Sequence, residues 1–169
     1  MTAVICIIAP ISIVFPFSPV PVSLGTLAIY IAVIVLGKKE GLLSVLLYIF
    51  LGFIGLPVFS GFTGGAGKLL GPTGGYIIGY IFMALICGLF IEKKSSQIFY
   101  CLIGMFLGTT VCYFFGTIWL SIQSEISLSA AFMVAVLPFL PADFIKLLLA
   151  CSFGFQIRKR LKKAGLLFY

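Results

Sequence analysis

Asp143 and Lys146 stand three residues apart in PFLPADFIK (138–146), at the entrance to an apolar run, in a chain where only 9% of residues are charged. If the run is helical the two side chains share a face, because positions i and i+3 are neighbours on a helix surface. Two readings fit. In the first, Pro141 occupies a first turn where its missing N–H is not needed, Asp143 caps the helix N-terminus and Lys146 pairs with it. In the second the pair is a binding site. A lysine at mid-membrane depth costs about 3 kcal/mol, snorkelling relieves only part of that, and a helix cap alone does not require it. Lysine offers a positive charge to a carboxylate, and aspartate accepts hydrogen bonds from N–H groups. A small molecule carrying both groups on an apolar body would satisfy the pair, and no reaction is needed.

Other chemistries find little support. The chain has no histidine, which removes the usual base for a serine or cysteine nucleophile and the commonest metal ligand. The five cysteines, at 6, 87, 101, 112 and 151, are odd in number and never form CxxC, and four lie inside apolar runs, so they read as small buried hydrophobes. A Ser–Lys arrangement on Lys146 is the one enzymatic route left, and no serine lies beside it. No catalytic residue, metal or cofactor is expected. The loop GFTGGAGKLLGPTGG invites a nucleotide-binding reading. A Walker A loop needs a glycine five positions before its Gly-Lys and Ser or Thr after it. With Gly67-Lys68 as the pair those positions are Phe62 and Leu69, and both fail.

The elements that must position Asp143 and Lys146 are membrane helices. Of 169 residues, 62% are hydrophobic and mean hydropathy is +1.29, whereas soluble domains carry about a quarter charged residues. A crossing helix needs about 20 apolar residues. That measure gives six spans near 2–14, 22–36, 41–58, 74–91, 97–122 and 142–157, in a single membrane domain covering 1–169 with a basic tail at 158–169. Nine of the eleven basic residues follow spans two, four and six: Lys38, Lys39, Lys93, Lys94, Arg158, Lys159, Arg160, Lys162 and Lys163. The positive-inside rule then places both termini in the cytoplasm. The fold class is therefore an all-α integral membrane protein with six transmembrane helices. The terminal RKRLKK reads as a topological anchor at the lipid surface, and no nucleic acid is expected as a partner.

Inner connections are short and basic, whereas the outer ones are rich in proline and glycine. Pro16, Pro19 and Pro21 fix φ and stiffen the segment PFPFSPVPVS, whose apolar side chains, Phe17 among them, suit a lid over the bundle. These external loops are expected to be ordered. Gly75 and Gly79, and Gly104 and Gly108, repeat the small-xxx-small spacing that lets helices approach in lipid, for packing within the bundle or for a dimer face.

In FSPVPVSLGTL (17–27), GLPVFSG (55–61), LGPTGGYIIGY (70–80) and LPFLPADFIK (137–146), the chain resembles the BioY family, the biotin-specific S components of energy-coupling factor transporters. The resemblance covers nearly the whole chain. It implies a six-helix subunit, not an enzyme, that captures biotin from outside in a pocket closed by the first and third loops. It also implies a transmembrane coupling protein and two cytosolic ABC-type ATPases as partners, and a location in the bacterial cytoplasmic membrane. By carry-over of the PxDxxK motif, Lys146 would take the biotin carboxylate and Asp143 the ureido N–H groups, while Gly74, Gly75 and Tyr76, with Tyr80 a turn further in, would line the pocket.

Two positions depart from the family pattern. Gly25-Thr26-Leu27 replaces a usual Q-T-L, leaving Thr26 to supply part of the lost hydrogen bonding. The AxxxA docking spacing on the first helix is kept only by Thr2 and Cys6. The alternatives are an S component for another carboxylated vitamin, and a passive channel or structural membrane protein.

Overall fold

The computed structural model describes residues 1–14, 18–93 and 98–165. Helix α1 (Thr2–Ile8) ends where Pro10 removes the next amide donor, and Ile11 N–H closes the turn onto the Ile8 carbonyl at 3.1 Å. The chain then becomes strand β1 (Ser12–Ile13), antiparallel to β2 (Val22–Ser23), with Ser12 opposite Ser23. The stretch expected as span 2–14 is thus a short helix and one arm of a hairpin. Phe17 lies outside the described residues.

Helix α2 (Gly25–Leu36) is buried around most of its circumference, from Ala28 through Val35, as an all-apolar helix at the centre of a bundle must be. It joins α3 (Lys38–Phe53) at Gly37, whose φ of 85° is left-handed and suits glycine. Helix α3 begins before the expected 41 and stops before 58. Its first turn holds Lys38, Lys39 and Glu40, and Gly55 at φ 108° followed by Pro57 prevents continuation.

A short α4 (Ala66–Leu70) lies in the glycine-rich loop. Then come α5 (Gly74–Lys93) and α6 (Ile98–Gln123), packed side by side. The connection expected at 123–141 is largely helical. It forms α7 (Leu128–Ala135), whose N-cap Ser127 accepts from Ala130 N–H at 3.2 Å, and a 3-10 turn at Leu137–Phe139. Helix α8 (Leu140–Lys163) takes Pro141 in its first turn and runs on through the basic tail.

Among the described residues, three helical runs, Gly74–Glu92, Ile98–Gln123 and Leu128–Lys163, are long and apolar enough to cross a bilayer, and Gly25–Leu36 is a shorter apolar helix. Large apolar side chains face outward, including Leu46 and Phe50 on α3, Phe106 and Phe114 on α6, and Phe144, Leu148 and Phe153 on α8. Contiguous apolar surface of this kind is not tolerated by a soluble monomer. The chain is a helical membrane protein.

Glycine sets how closely α5 and α6 approach. A Cβ on Gly75 would stand 2.3 Å from Trp119 Cβ, one on Gly79 2.9 Å from Cys112 Sγ, one on Gly104 2.7 Å from Phe90 Cβ and one on Gly108 3.0 Å from the Met83 carbonyl oxygen. All four glycines therefore serve packing within this bundle. Two further contacts fix the ends. Arg158 donates to the Ile34 carbonyl at 3.0 Å, and Lys38 Cα lies 2.7 Å from where a Gly88 Cβ would be. The basic residues of α3 and α8 thus gather at one end, opposite the hairpin, α4, α7 and the start of α8.

Gly79→Val is expected to lower stability by about 1–3 kcal/mol through overpacking. Gly67→Ala, where a Cβ meets nothing within 4 Å, is expected to be near neutral. Thermal unfolding in detergent compares the two, and equal melting temperatures would show that α5 and α6 do not need this proximity.

Candidate functional site

Helix α8 starts at Leu140, with Phe139 at the cap position and no side-chain cap bond, so Asp143 does not cap the helix. Its carboxylate is engaged sideways. Lys146 Nζ donates to Oδ1 at 2.7 Å, and the Tyr113 hydroxyl, arriving from α6, donates to Oδ2. The side chains of Lys146 and Asp143 are only 9% and 13% exposed, so each charge depends on the other rather than on bulk water. An ammonium has three protons to donate. Among the described residues Asp143 is the only hydrogen-bond partner of Lys146, which leaves donor capacity directed at the space beside it.

That space is a cavity at the end of the bundle away from the basic cluster. The hairpin covers one side with Val20, Pro21, Val22 and Ser23, and Phe59 and Ser60 of the loop after α3 cover another. Phe59 is held in place by Tyr48, edge to face at 5.6 Å and 88°, and by Gly52, where a Cβ would stand 2.1 Å from the Phe59 ring. The turn before α5 contributes Thr73 to the wall, α5 contributes Tyr76, Ile77 and Tyr80, and α6 contributes Thr109, Cys112 and Tyr113. Tyr76 donates its hydroxyl proton to the Ala135 carbonyl at 3.2 Å, and its ring lies against Gly116, where a Cβ would come within 2.3 Å.

Two hydroxyls in this wall, Thr26 Oγ1 and Thr73 Oγ1, are buried without a hydrogen-bond partner among the described residues. An unmet buried polar group costs roughly 1–3 kcal/mol. Both therefore favour an occupant with polar atoms of its own. The arrangement offers one ammonium, one carboxylate, two unmatched hydroxyls and an aromatic and aliphatic surround. It suits binding a small polar-ended molecule, and the described residues contain no group of three His, Cys, Asp or Glu placed to hold a metal.

Of the residues expected from sequence, Asp143, Lys146, Tyr76, Tyr80 and Thr26 meet in this cavity. Gly74 and Gly75 are not among its lining residues. A Cβ on Gly74 would meet the Leu69 carbonyl oxygen at 1.7 Å, and one on Gly75 would meet Trp119, so these two seat α4 and α6 at the cavity's edge. Trp119 is fixed there by its Nε1–H bond to the Gly71 carbonyl at 2.9 Å. Lys68 sits on α4 away from the lining, and partial burial lowers its pKa from the ordinary lysine value. Tyr113, Thr73, Tyr48 and Phe59 were not anticipated. Tyr113 lies 30 residues from Asp143, and no local spacing joins them. The edge-on Tyr48–Phe59 contact is likewise visible only once the loop is folded.

A helical membrane bundle with a polar cavity at one end and a basic cluster at the other defines a substrate-binding class of integral membrane protein. The sequence model of the BioY family matches residues 1–163. The chain belongs to that family.

It is 40% identical over 158 residues to the biotin transporter BioY of Thermotoga maritima, covering 94% of this chain and 91% of that one. With the biotin transporter BioY of Lactococcus lactis subsp. cremoris the identity is 39% over 171 residues, covering 98% and 88%. The fold matches the 2.1 Å crystal structure of the S-component for biotin from an ECF-type ABC transporter, with TM-score 0.87 and 38% identity over 94% of this chain and 86% of that one.

Removing one partner of a buried ion pair strands the other charge. Asp143→Asn is expected to cost about 3 kcal/mol of stability. Asp143→Asn combined with Lys146→Met is expected to cost less than Asp143→Asn alone. Melting temperatures of the two variants in detergent measure this, and a double variant less stable than Asp143→Asn would show that the stranded charge is not the source of the loss.

Proposed function

We propose that this protein is the biotin-binding membrane subunit of a vitamin uptake system, taking biotin from the external side into the cavity beside Lys146. The observation that carries the reading is the Asp143–Lys146 pair, buried at the floor of a cavity in a chain of the BioY family. Biotin has a carboxylate at one end and a ureido ring with two N–H donors at the other, joined by an apolar body. Lys146 then takes the carboxylate and Asp143 accepts from the ureido N–H groups. Thr26 supplies the hydroxyl that stands one residue after Gly25, and Tyr76 and Tyr80 pack on the ligand's apolar part.

The same proposal includes six membrane crossings in one domain, with both termini and the basic cluster in the cytoplasm of a bacterial cell. The first loop, Phe17 included, and the loop after α3 close over the ligand. The basic cluster supports the orientation, since positively charged ends stay on the cytoplasmic side. No reaction is assigned to the chain. Movement across the membrane draws on a transmembrane coupling protein and two cytosolic ABC-type ATPases, a division of labour that the name of the matched S-component supports.

Nanomolar binding corresponds to about −12 kcal/mol. Spread over roughly 16 heavy atoms of biotin it needs about 0.8 kcal/mol per atom, which lies below the ceiling for small ligands but demands a dry, preorganised site. The partly buried ion pair and the edge-on aromatic contact of Tyr48 with Phe59 support that requirement.

Labelled biotin is expected to bind the purified, detergent-solubilised protein tightly and saturably. Lys146→Ala and Asp143→Asn are each expected to weaken binding by about 2–4 kcal/mol, in the range for truncating one member of a buried charged contact. A folded wild type that ignores biotin but binds another carboxylated vitamin would keep the class and change the ligand. One that binds neither would leave a channel or structural role. For topology, a green fluorescent protein fused after Tyr169 is expected to fluoresce in cells, and a dark fusion would place the C-terminus outside.

A further inference from the structure

The hydrogen bond from Tyr113 to Asp143 lies between two spaces. One is the polar cavity beside Lys146. The other is an apolar groove on the outer face between α6, α7 and α8, lined by Phe106, Phe114, Phe132 and Phe144. Both are bordered by Thr109, Tyr113 and Asp143. Tyr113 is therefore part of the partition between them, with its hydroxyl on the carboxylate that the ligand site uses.

We propose that Tyr113 is a positioning residue of the ligand site, holding the Asp143 carboxylate in the orientation that receives the ligand's N–H groups and keeping that carboxylate from turning toward the apolar groove. The chemistry follows from the two bonds already on Asp143. Lys146 occupies one oxygen at 2.7 Å from the same helix, and this bond alone leaves the carboxylate plane free to rotate about it. Tyr113 occupies the other oxygen from a different helix, and two anchors on two helices fix the plane. A carboxylate oxygen has more than one lone pair, so each stays able to accept a further bond. A preset acceptor costs the ligand less ordering than a free one. This proposal rests on the biotin reading, because the ligand's N–H groups are what Asp143 is held for.

Asp143 is the only aspartate in the chain. Aspartate labelled with 13C at the side-chain carboxyl therefore reports on this one group by infrared spectroscopy. The test compares wild type with Tyr113→Phe, which keeps the ring in the partition and removes only the hydroxyl. Melting temperature serves as the check that the variant is folded. Tyr113→Phe is expected to shift the labelled carboxylate stretch in the ligand-free protein and to weaken biotin binding about tenfold, the loss of one charge-assisted hydrogen bond. An unshifted band overturns the proposal even if binding falls, since the loss would then come through packing. A shifted band with wild-type affinity overturns it as well, because the held orientation would not matter to the ligand. Failure of the wild type to bind biotin removes the biotin reading and this proposal together, whereas tight wild-type binding with either of the first two results removes this proposal alone.

Discussion

A lysine ammonium held out of water is the constraint around which this structure is arranged. Lys146 is enclosed by a bundle whose outer face is apolar, and its charge is tolerated because Asp143 lies 2.7 Å away on the same helix. Low dielectric strengthens that attraction, and it equally raises the cost of leaving either group alone. A pair of this kind seldom improves stability over an apolar replacement of the same volume. The pair is therefore weak evidence for stability by itself, and the hydroxyls of Thr26 and Thr73 beside it have no hydrogen-bond partner among the described residues.

The walls around the pair depend on how closely the helices approach. Association of helices in lipid lacks the hydrophobic drive available in water, so it relies on packing and small residues. Here the glycines of α3, α5 and α6 do more than hold helices together. Gly116 gives room for the Tyr76 ring, Gly52 for the Phe59 ring, and Gly75 for Trp119. These three aromatics thus each lie over a position where a Cβ is missing. The sequence spends glycine where it needs a large rigid ring on the facing element.

What could be read from sequence follows from which interactions are local. Asp143 and Lys146 were legible because i, i+3 spacing is a property of one helix, and α5, α6 and α8 were legible because long apolar runs have few other uses. The end of α1 at Ile8 was announced by Pro10, although an apolar run continuing to Val14 concealed it. The Ser12–Ile13 pairing with Val22–Ser23 spans a loop and carries no local signature at two residues per strand. Helix α7 was concealed for the opposite reason. Its Ser127 cap was in plain view, but its eight residues are too few to count as a crossing and were absorbed into a loop. Gly74 and Gly75 show the limit of motif carry-over, since the motif places them near the site and only the packing shows that they seat α4 and Trp119.

The two ends of α8 are linked by the helix itself. Asp143 and Lys146 lie near its start, and Arg158 lies twelve residues beyond Lys146, about 18 Å along the axis. Arg158 binds the Ile34 carbonyl in the last turn of α2, and Gly154 lets Ile34 press against the backbone of α8. An orphan carbonyl at a helix C-terminus meets a cation there, a favourable match for the helix dipole as well as for the hydrogen bond. At the other end Tyr113 of α6 holds Asp143. A helix pinned to α2 below and to α6 above has little freedom to carry Lys146 in and out of the cavity. Other elements are not pinned in this way. Those are the hairpin, whose pairing is two residues per strand, and the glycine-rich loop around α4, in which Gly55, Gly61 and Gly65 adopt positive φ. The physical division is between helices that fix the charges and loops that cover the cavity beside them.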